Sequence, residues 1–325
     1  MGNFKVYIVI LTWNGLEDTL TCLDSLSHIS LPNGVTTQIL VIDNGSDVDP
    51  CEAIHQRFAE VQTLRNTQNL GFAGGCNVGM RVAMAAGADA VLLLNNDTIV
   101  APDFLAQLLS AQQTLAHPTL AAPLIYDMQQ RNLVTFAGGK IDFGRGKFEH
   151  RIDIQTSGFL KKPDVSPQKT SEVLKTSEVS AHDYVTGCCM LIPRAVIERI
   201  GVLDASFFAY CEDVEYCLRA RAQGIDCVLV ASSHIWHNES ASTRRGLSAG
   251  THSPLKHYLL IRNQIWVIKK YAPRAAKLRY FGLHLPLRAA YYNIGFVLRG
   301  RWGKLRGFWR GVAHGFRAQP ITNNL

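Results

Sequence analysis

Four groups of residues in this sequence have the types and spacing for chemistry. Asp97 closes the run Asn95-Asn96-Asp97 directly behind an apolar stretch. One carboxylate beside amide oxygens suits a hard divalent cation that keeps some water and takes further oxygens from a bound diphosphate. The same residues also make an ordinary turn and helix cap ahead of Pro102. His237 follows another apolar run; imidazole accepts manganese and so can share a site with Asp97, though a lone histidine is more often structural. Glu212 and Asp213 stand just after the aromatic run Phe207-Phe208-Ala209-Tyr210. Either can act as a general base, because an attacking hydroxyl must lose its proton, an effect of roughly 10²–10⁴-fold. Either can equally be a first-turn acid that stabilises a helix dipole. The run Gly71-Phe72-Ala73-Gly74-Gly75-Cys76-Asn77-Val78-Gly79 lets backbone N–H groups approach a phosphate. It is neither GxGxxG nor a P-loop, which weakens a dehydrogenase or ATPase reading.

These groups need elements to hold them. Strands are expected at Lys5–Thr12, Gln38–Asp43, Val61–Arg65 and Ala90–Leu94, and helices at Leu16–Ser27, Cys51–Phe58 and Cys76–Ala86. Apolar strands separated by helices predict a parallel, doubly wound α/β sheet. Such sheets bind ligands at the carboxyl ends of their strands. Thr12-Trp13-Asn14, Asp43-Asn44-Gly45-Ser46 and Asn95-Asn96-Asp97 fall at those ends. Further on, a helix is expected over Pro193–Ile200, another up to Gly224, and a strand over Ile225–Ala231. Residues 145–182 are polar, contain the repeat Lys169-Thr-Ser-Glu-Val-Leu/Lys175-Thr-Ser-Glu-Val-Ser, and read as a mobile surface loop or a lid.

With 325 residues, 47% hydrophobic and 18% charged, the chain is too apolar for disorder and too long for a small disulfide scaffold. Its net charge of +7 hides a split: residues 240–325 carry sixteen Lys and Arg and no carboxylate, whereas the rest sums to −9. The eight cysteines include no CxxC pair and read as reduced, mostly buried thiols. Val6–Leu11 reads as a strand rather than a signal peptide, and no run of 18 apolar residues spans a bilayer.

Taken in order, the motifs at Thr12–Asn14, Asp43–Ser46, Asn69–Gly79 and Leu94–Asp97 resemble the nucleotide-sugar half of glycosyltransferase family 2. The second half agrees through Thr186-Gly187, Met190–Ile192, Gly201–Asp204, Phe207–Asp213 and His237–Ser240. The resemblance covers roughly residues 4–270 and is nearest to bacterial rhamnosyltransferases of surface-polysaccharide assembly. It implies a GT-A fold, Rossmann-like with a mostly parallel sheet and flanking helices, and an inverting, metal-dependent sugar transfer. By that resemblance Thr12, Trp13, Asn14 and Asp43 hold base and ribose. Asn69 and the loop Gly71–Asn77 line the nucleotide and diphosphate, with Asn95 and Asn96 beside them. Asp97 takes the place of the last aspartate of the metal triplet, and His237 shares its Mn²⁺ or Mg²⁺. Asp213 is the catalytic base and Glu212 holds the acceptor. The triplet here is Asn-Asn-Asp rather than Asp-x-Asp, which implies weaker metal affinity, and Glu215 stands where relatives usually carry Asp.

The expected organisation is a GT-A domain over 1–253, with a nucleotide half at 1–100 and an acceptor half at 101–253, followed by a basic helical C-terminal appendage at 254–325. In the latter, Trp302, Leu305, Trp309, Val312 and Phe316 fall at helical spacing among basic residues, a pattern for an anionic membrane surface rather than nucleic acid. Gly303, Gly307, Gly311 and Gly315 each weaken a helix in water by about 1 kcal/mol, so this segment is expected to fold only on docking. The expected enzyme moves L-rhamnose from dTDP-rhamnose to a lipid-linked saccharide, at the cytoplasmic face of the cell membrane. The alternatives are a UDP-hexose donor, a silent nucleotide-sensing membrane scaffold, and a nicotinamide oxidoreductase suggested by the glycine run alone.

Overall fold

The computed structural model describes residues 3–152, 179–238 and 253–317. Its β/α alternation opens with β1 (Phe4–Thr12), α1 (Leu16–Leu26), β2 (Val35–Asp43), α2 (Cys51–Arg57), β3 (Gln62–Arg65), α3 (Gly71–Ala85) and β4 (Ala90–Asn95). These four strands are mutually parallel in the order β4-β1-β2-β3. Val6–Ile10 and Val91–Leu94 are buried, as strands covered by helices on both faces must be. The expected Gln38 start of β2 lies three residues late, because β1 pairs with it along its whole length from Phe4 opposite Val35.

The chain continues with β5 (Thr98–Val100), α4 (Phe104–Thr114), β6 (Leu120–Asp127), β7 (Val134–Phe136), β8 (Gly139–Asp142) and β9 (Lys147–His150), which form a separate two-stranded hairpin, then β10 (Val179–His182) and β11 (Cys189–Pro193) of the main sheet. Next come α5 (Arg194–Ile200), α6 (Glu212–Arg221) and β12 (Cys227–His237). β11 enters antiparallel between β4 and β6, giving the order β10-β12-β6-β11-β4-β1-β2-β3. The mobile loop expected over 145–182 is corrected at both ends. Residues 147–150 pair with β8 and residues 179–182 form an edge strand on β12, while 153–178, with most of the repeat, lie outside the described residues.

The Ile225–Ala231 strand is corrected as well. β12 runs on to His237 by shifting register between Val230 and His234, which lets it pair with β5 and set His237 opposite Thr98.

The C-terminal region from Pro254 is helical: α7 (Pro254–Tyr271), α8 (Arg274–Arg279), a π turn (Tyr280–His284), α9 (Leu285–Val297) and α10 (Trp302–Phe316). Ser253 caps α7 by accepting from Lys256 N at 3.0 Å. Trp266 and Val267 join the main core, while Ile261, Ile265 and Ile268 pack with Tyr280, Leu285 and Phe308 in a second one.

The glycine spacing in α10 serves packing here. Gly307, Gly311 and Gly315 face α7, where an added Cβ would come within 2.4 Å of Pro254 O, 2.3 Å of Ile261 Cγ2 and 2.8 Å of Ile265 Cβ respectively. The two backbones approach so closely that only hydrogen fits. The glycines thus seat α10 on the protein instead of leaving it to fold on a partner.

Candidate active site

Asp97 and His237 are joined by topology. Asp97 sits between β4 and β5, and β12 ends beside it, so His237 Nε2 lies 3.1 Å from Asp97 Oδ1. Asn95 Nδ2 is 3.4 Å from the same imidazole nitrogen. Burial works against charging this ring, but Cys188 and the hydrogen-bonded Asp97 outweigh it and hold the histidine well above its usual pKa. Carboxylate and imidazole are the donor types that a borderline cation such as Mn²⁺ accepts, and they meet here in one corner. Among the described residues no group of three or more His, Cys, Asp or Glu is placed to hold a metal, so further oxygens would have to come from a ligand.

That corner opens into a cleft of about 720 Å³ whose lining includes Asn95, His237, Thr186, Glu212 and Asp213. The two acids lie in the first turn of α6, and the chain reaches them through a strained turn. Phe208, Tyr210 and Cys211 all have positive φ, at 63°, 69° and 66°, although none is glycine. Each such residue costs about 1–3 kcal/mol and persists only where its surroundings over-determine it.

The surroundings do so from two sides. At the start of α3, Ala73 N donates to Phe208 O at 3.2 Å, and a Cβ on Gly71 would stand 2.5 Å from that oxygen. From α7, the buried Asn263 Nδ2 donates to the carbonyls of Phe207, Ala209 and Tyr210 at 3.0, 2.8 and 2.7 Å. Arg262 Nη2 reaches Ser206 O and Phe207 O at 3.0 and 2.9 Å, with its guanidinium 4.4 Å from the Trp266 ring centre. Gln264 donates to Gly146 O, tying α7 to the β8–β9 hairpin, and its Oε1 accepts from Arg288 Nη1 at 2.5 Å.

The adjacent acids have different environments. Asp213 Oδ2 accepts from Gly187 N at 3.0 Å and Oδ1 from Val214 N at 2.8 Å. Glu212 is buried, and its Oε2 has no hydrogen-bond partner among the described residues. Burial, and secondarily the charge of Asp213, pushes the Glu212 pKa well above the usual carboxylate range. Glu212 therefore favours its protonated form. Burial also pushes the thiols of Cys76, Cys189 and Cys211 up, which makes them poor nucleophiles.

Thr12, Trp13, Asn14 and Asp43 gather at the ends of β1 and β2, outside the lining of this cleft. Asp43 accepts from Ser46 N and Oγ at 3.1 and 2.5 Å and pairs with Arg65 Nε at 3.2 Å. Asn14, at φ 53°, donates its N–H to Ser46 Oγ at 2.8 Å and exchanges amide bonds with Asp47. Trp13 is exposed beside them.

Several asparagines brace the walls. Asn96 Nδ2 reaches Thr12 Oγ1, Gly15 O and Thr19 Oγ1 at 3.3, 3.2 and 3.0 Å. Asn77 exchanges both its amide groups with the backbone of Leu203, at 2.8 and 3.0 Å. Asn69 Oδ1 accepts from Asn44 Nδ2 and from Gly71 N at 3.0 and 2.8 Å.

The glycine run expected as a loop ahead of Cys76 is helix from Gly71 onward. Gly75 and Gly79 lie against Leu11 and Val9, where an added Cβ would clash at 2.4 and 2.3 Å. They permit close helix–sheet packing.

Missing from the sequence reading were Arg262, Asn263, Gln264 and Arg288. A signal for the first three existed: a polar triplet set between Leu259-Leu260-Ile261 and Ile265-Trp266-Val267-Ile268, with apolar residues all around the helix.

A mostly parallel sheet thus carries a carboxylate–histidine corner and, on one cleft, the buried Glu212 beside the half-buried Asp213. The family model described as "Glycosyltransferase like family 2" matches residues 3–250, and the chain belongs to that family and is a glycosyltransferase. It is similar to the dTDP-rhamnosyl transferase RfbF of Shigella flexneri, 21% identical over 273 residues that cover 82% of this chain and 81% of that one. It is also similar to the N-acetylglucosaminyl-diphospho-decaprenol L-rhamnosyltransferase of Mycobacterium tuberculosis, 26% identical over 258 residues that cover 74% and 80%. In fold it is similar to GalNAc-T7, crystallised with UDP, GalNAc and Mn²⁺, with a TM-score of 0.61 at 16% identity over 85% of this chain and 50% of that one. The GT-A fold expected from the sequence is the fold observed.

Proposed function

We propose that this glycosyltransferase moves L-rhamnose, with inversion, from a thymidine-diphosphate donor to a hydroxyl of a lipid-linked saccharide. The observation that carries the chemistry is the pair Glu212–Asp213 lining the same cleft as His237 and Asn95. Support for the donor comes from similarity to two proteins whose names state rhamnosyl transfer, and support for the acceptor from the diphospho-decaprenol in the name of one.

In the cleft, Asp213 takes the proton of the acceptor hydroxyl as that oxygen bonds to the anomeric carbon and the carbon–oxygen bond to the diphosphate breaks on the opposite face. Gly187 N–H fixes the orientation of the base. Glu212, its pKa raised by burial, offers the acceptor a hydrogen-bond partner through Oε2, which has none among the described residues. Asp97 and His237 are the residues that would hold a divalent cation, which when bound offsets the negative charge of the leaving diphosphate. Asp43 and Thr12–Asn14 shape the strand ends at which a nucleoside would lie.

The test is turnover and donor binding in Asp213→Asn. Turnover falls by roughly 10²-fold or more, while calorimetric affinity for thymidine diphosphate stays unchanged. Near-normal turnover removes Asp213 as the base, and a preference for uridine diphosphate changes the donor within the same class.

A further inference from the structure

The structure assigns the outward face of α9, rimmed by aromatic side chains of α10, to docking on an anionic lipid bilayer. Leu283, Leu287, Tyr291, Ile294 and Leu298 recur at spacings of four, four, three and four residues, a helical stripe. That stripe points to solvent: Leu287, Tyr291, Ile294 and Leu298 are 58%, 72%, 62% and 80% exposed. Trp302, Trp309 and Phe316 of α10 are exposed too, and Trp309 Nε1 donates to Asn293 Oδ1 at 3.1 Å, which fixes that ring beside α9. An uninterrupted apolar stripe of this kind on a folded protein marks an interaction surface.

Charge decides the occupant. Ten Lys and Arg lie between Arg274 and Arg317, with no Asp or Glu among them. A second copy would bring two strongly cationic faces together, which repel. A polynucleotide would satisfy the cations but leave the leucines in water. An anionic bilayer takes both, with headgroups at the basic residues and acyl chains against the stripe. No helix among the described residues is long and apolar enough to cross a membrane, so the contact is interfacial. The sequence pattern placed this surface over the basic region 254–325, with Trp302–Phe316 as its amphipathic stretch. In the fold the glycine ridge of α10 is covered by α7, and α9 presents an exposed apolar face of its own.

α9 also carries Arg288 into the lining of the cleft. One helix thus meets the bilayer on its outer side and the acceptor cleft on its inner side. This last step rests on the transferase reading above; the docking surface does not.

The experiment is co-sedimentation of the full chain with vesicles of phosphatidylcholine alone and of phosphatidylcholine with phosphatidylglycerol. It is run alongside the triple variant Leu287→Gln, Ile294→Gln, Leu298→Gln. The parent chain is expected to partition onto the anionic vesicles, and the variant to lose about tenfold or more of that partitioning. Melting temperature, thymidine diphosphate binding and turnover on a water-soluble acceptor stay unchanged in the variant. Equal partitioning of variant and parent overturns the assignment, as does tighter binding to duplex DNA that the variant retains. Vesicle binding without any nucleoside-diphosphate binding leaves the docking surface standing and removes the transferase reading.

Discussion

Asn263 donates its side-chain amide to the carbonyl of Tyr210 at 2.7 Å, joining a helix of the C-terminal region to the residue two positions before Glu212. The same nitrogen serves Phe207 O and Ala209 O, so one side chain holds three carbonyls of a turn with three strained residues. The C-terminal helices are therefore part of the wall that presents the acid pair. The strain of that turn is balanced by contacts more than fifty residues away in the sequence.

Asn263→Ala takes the side-chain donor from Ala209 O and Tyr210 O, while Phe207 O keeps Arg262 Nη2, a destabilisation of about 1–3 kcal/mol. With the turn released, kcat is expected to fall at least tenfold while the dissociation constant of thymidine diphosphate holds. Hydrogen exchange across residues 206–211 should rise in the same variant. Asn263→Asp, similar in size but presenting acceptors to carbonyls, should do no better. If melting temperature drops and kcat does not, Asn263 supports the fold without positioning the acids.

Glu212 gives a pH dependence with a definite sign. Its pKa in the fold lies above the 4.5 of an exposed glutamate, so the folded state favours the protonated form. Its contribution to stability is complete below that value and is lost as pH rises through the raised pKa. Glu212→Gln keeps the shape and removes the ionisation, so it should raise the melting temperature more at about pH 8 than at about pH 5. Thermal melts of both proteins across pH are the measurement. Parallel profiles would show that this carboxyl finds a partner or water that compensates its burial.

The β/α fold of the first hundred residues was legible because its signals are local. Apolar strands and the polar residues at their carboxyl ends lie next to each other in sequence, and a parallel sheet places those ends on one rim. Asp97 and His237 were legible as types, but their meeting depends on the bulge that carries β12 to His237. The braces were not legible. Nothing local distinguishes an asparagine that lines a ligand from Asn77, which is bound to Leu203 across 126 positions. The glycines of α10 misled for a related reason: helix propensity is a local property, and the space beside Pro254, Tyr258 and Ile261 is not.

Those glycines allow two effects to be weighed. Gly311→Ala gains about 1 kcal/mol of helix propensity. Its Cβ, however, would lie 2.3 Å from Ile261 Cγ2 and 2.6 Å from Tyr258 O, and the second is backbone that cannot rotate away. Overpacking of this kind costs about 1–3 kcal/mol or more, so the clash should win. A lower melting temperature is expected for Gly311→Ala. At Gly282, where nothing lies within 4 Å of an added Cβ, the same change should be neutral or stabilising. A rise in melting temperature for Gly311→Ala would mean that α10 does not sit on α7 in solution.

Asp97 and His237 present one carboxylate oxygen and one imidazole nitrogen 3.1 Å apart, with asparagines where a second acid is more usual for a hard cation. On the proposed reading these two ligands would bind a divalent ion weakly alone, and a diphosphate would add the oxygens that complete the set. Manganese and thymidine diphosphate should therefore bind with positive coupling, each weakly without the other. Asp97→Asn removes the only carboxylate of the pair. In that variant the manganese-dependent gain in nucleotide affinity should fall at least about tenfold, the range that even outer partners of metal ligands contribute. Affinity without metal should stay near that of the parent, since the asparagine keeps an oxygen in place. Calorimetric titration of the nucleotide with manganese, and again after chelation, measures both quantities. Equal coupling in parent and variant would take Asp97 out of the cation's ligand set.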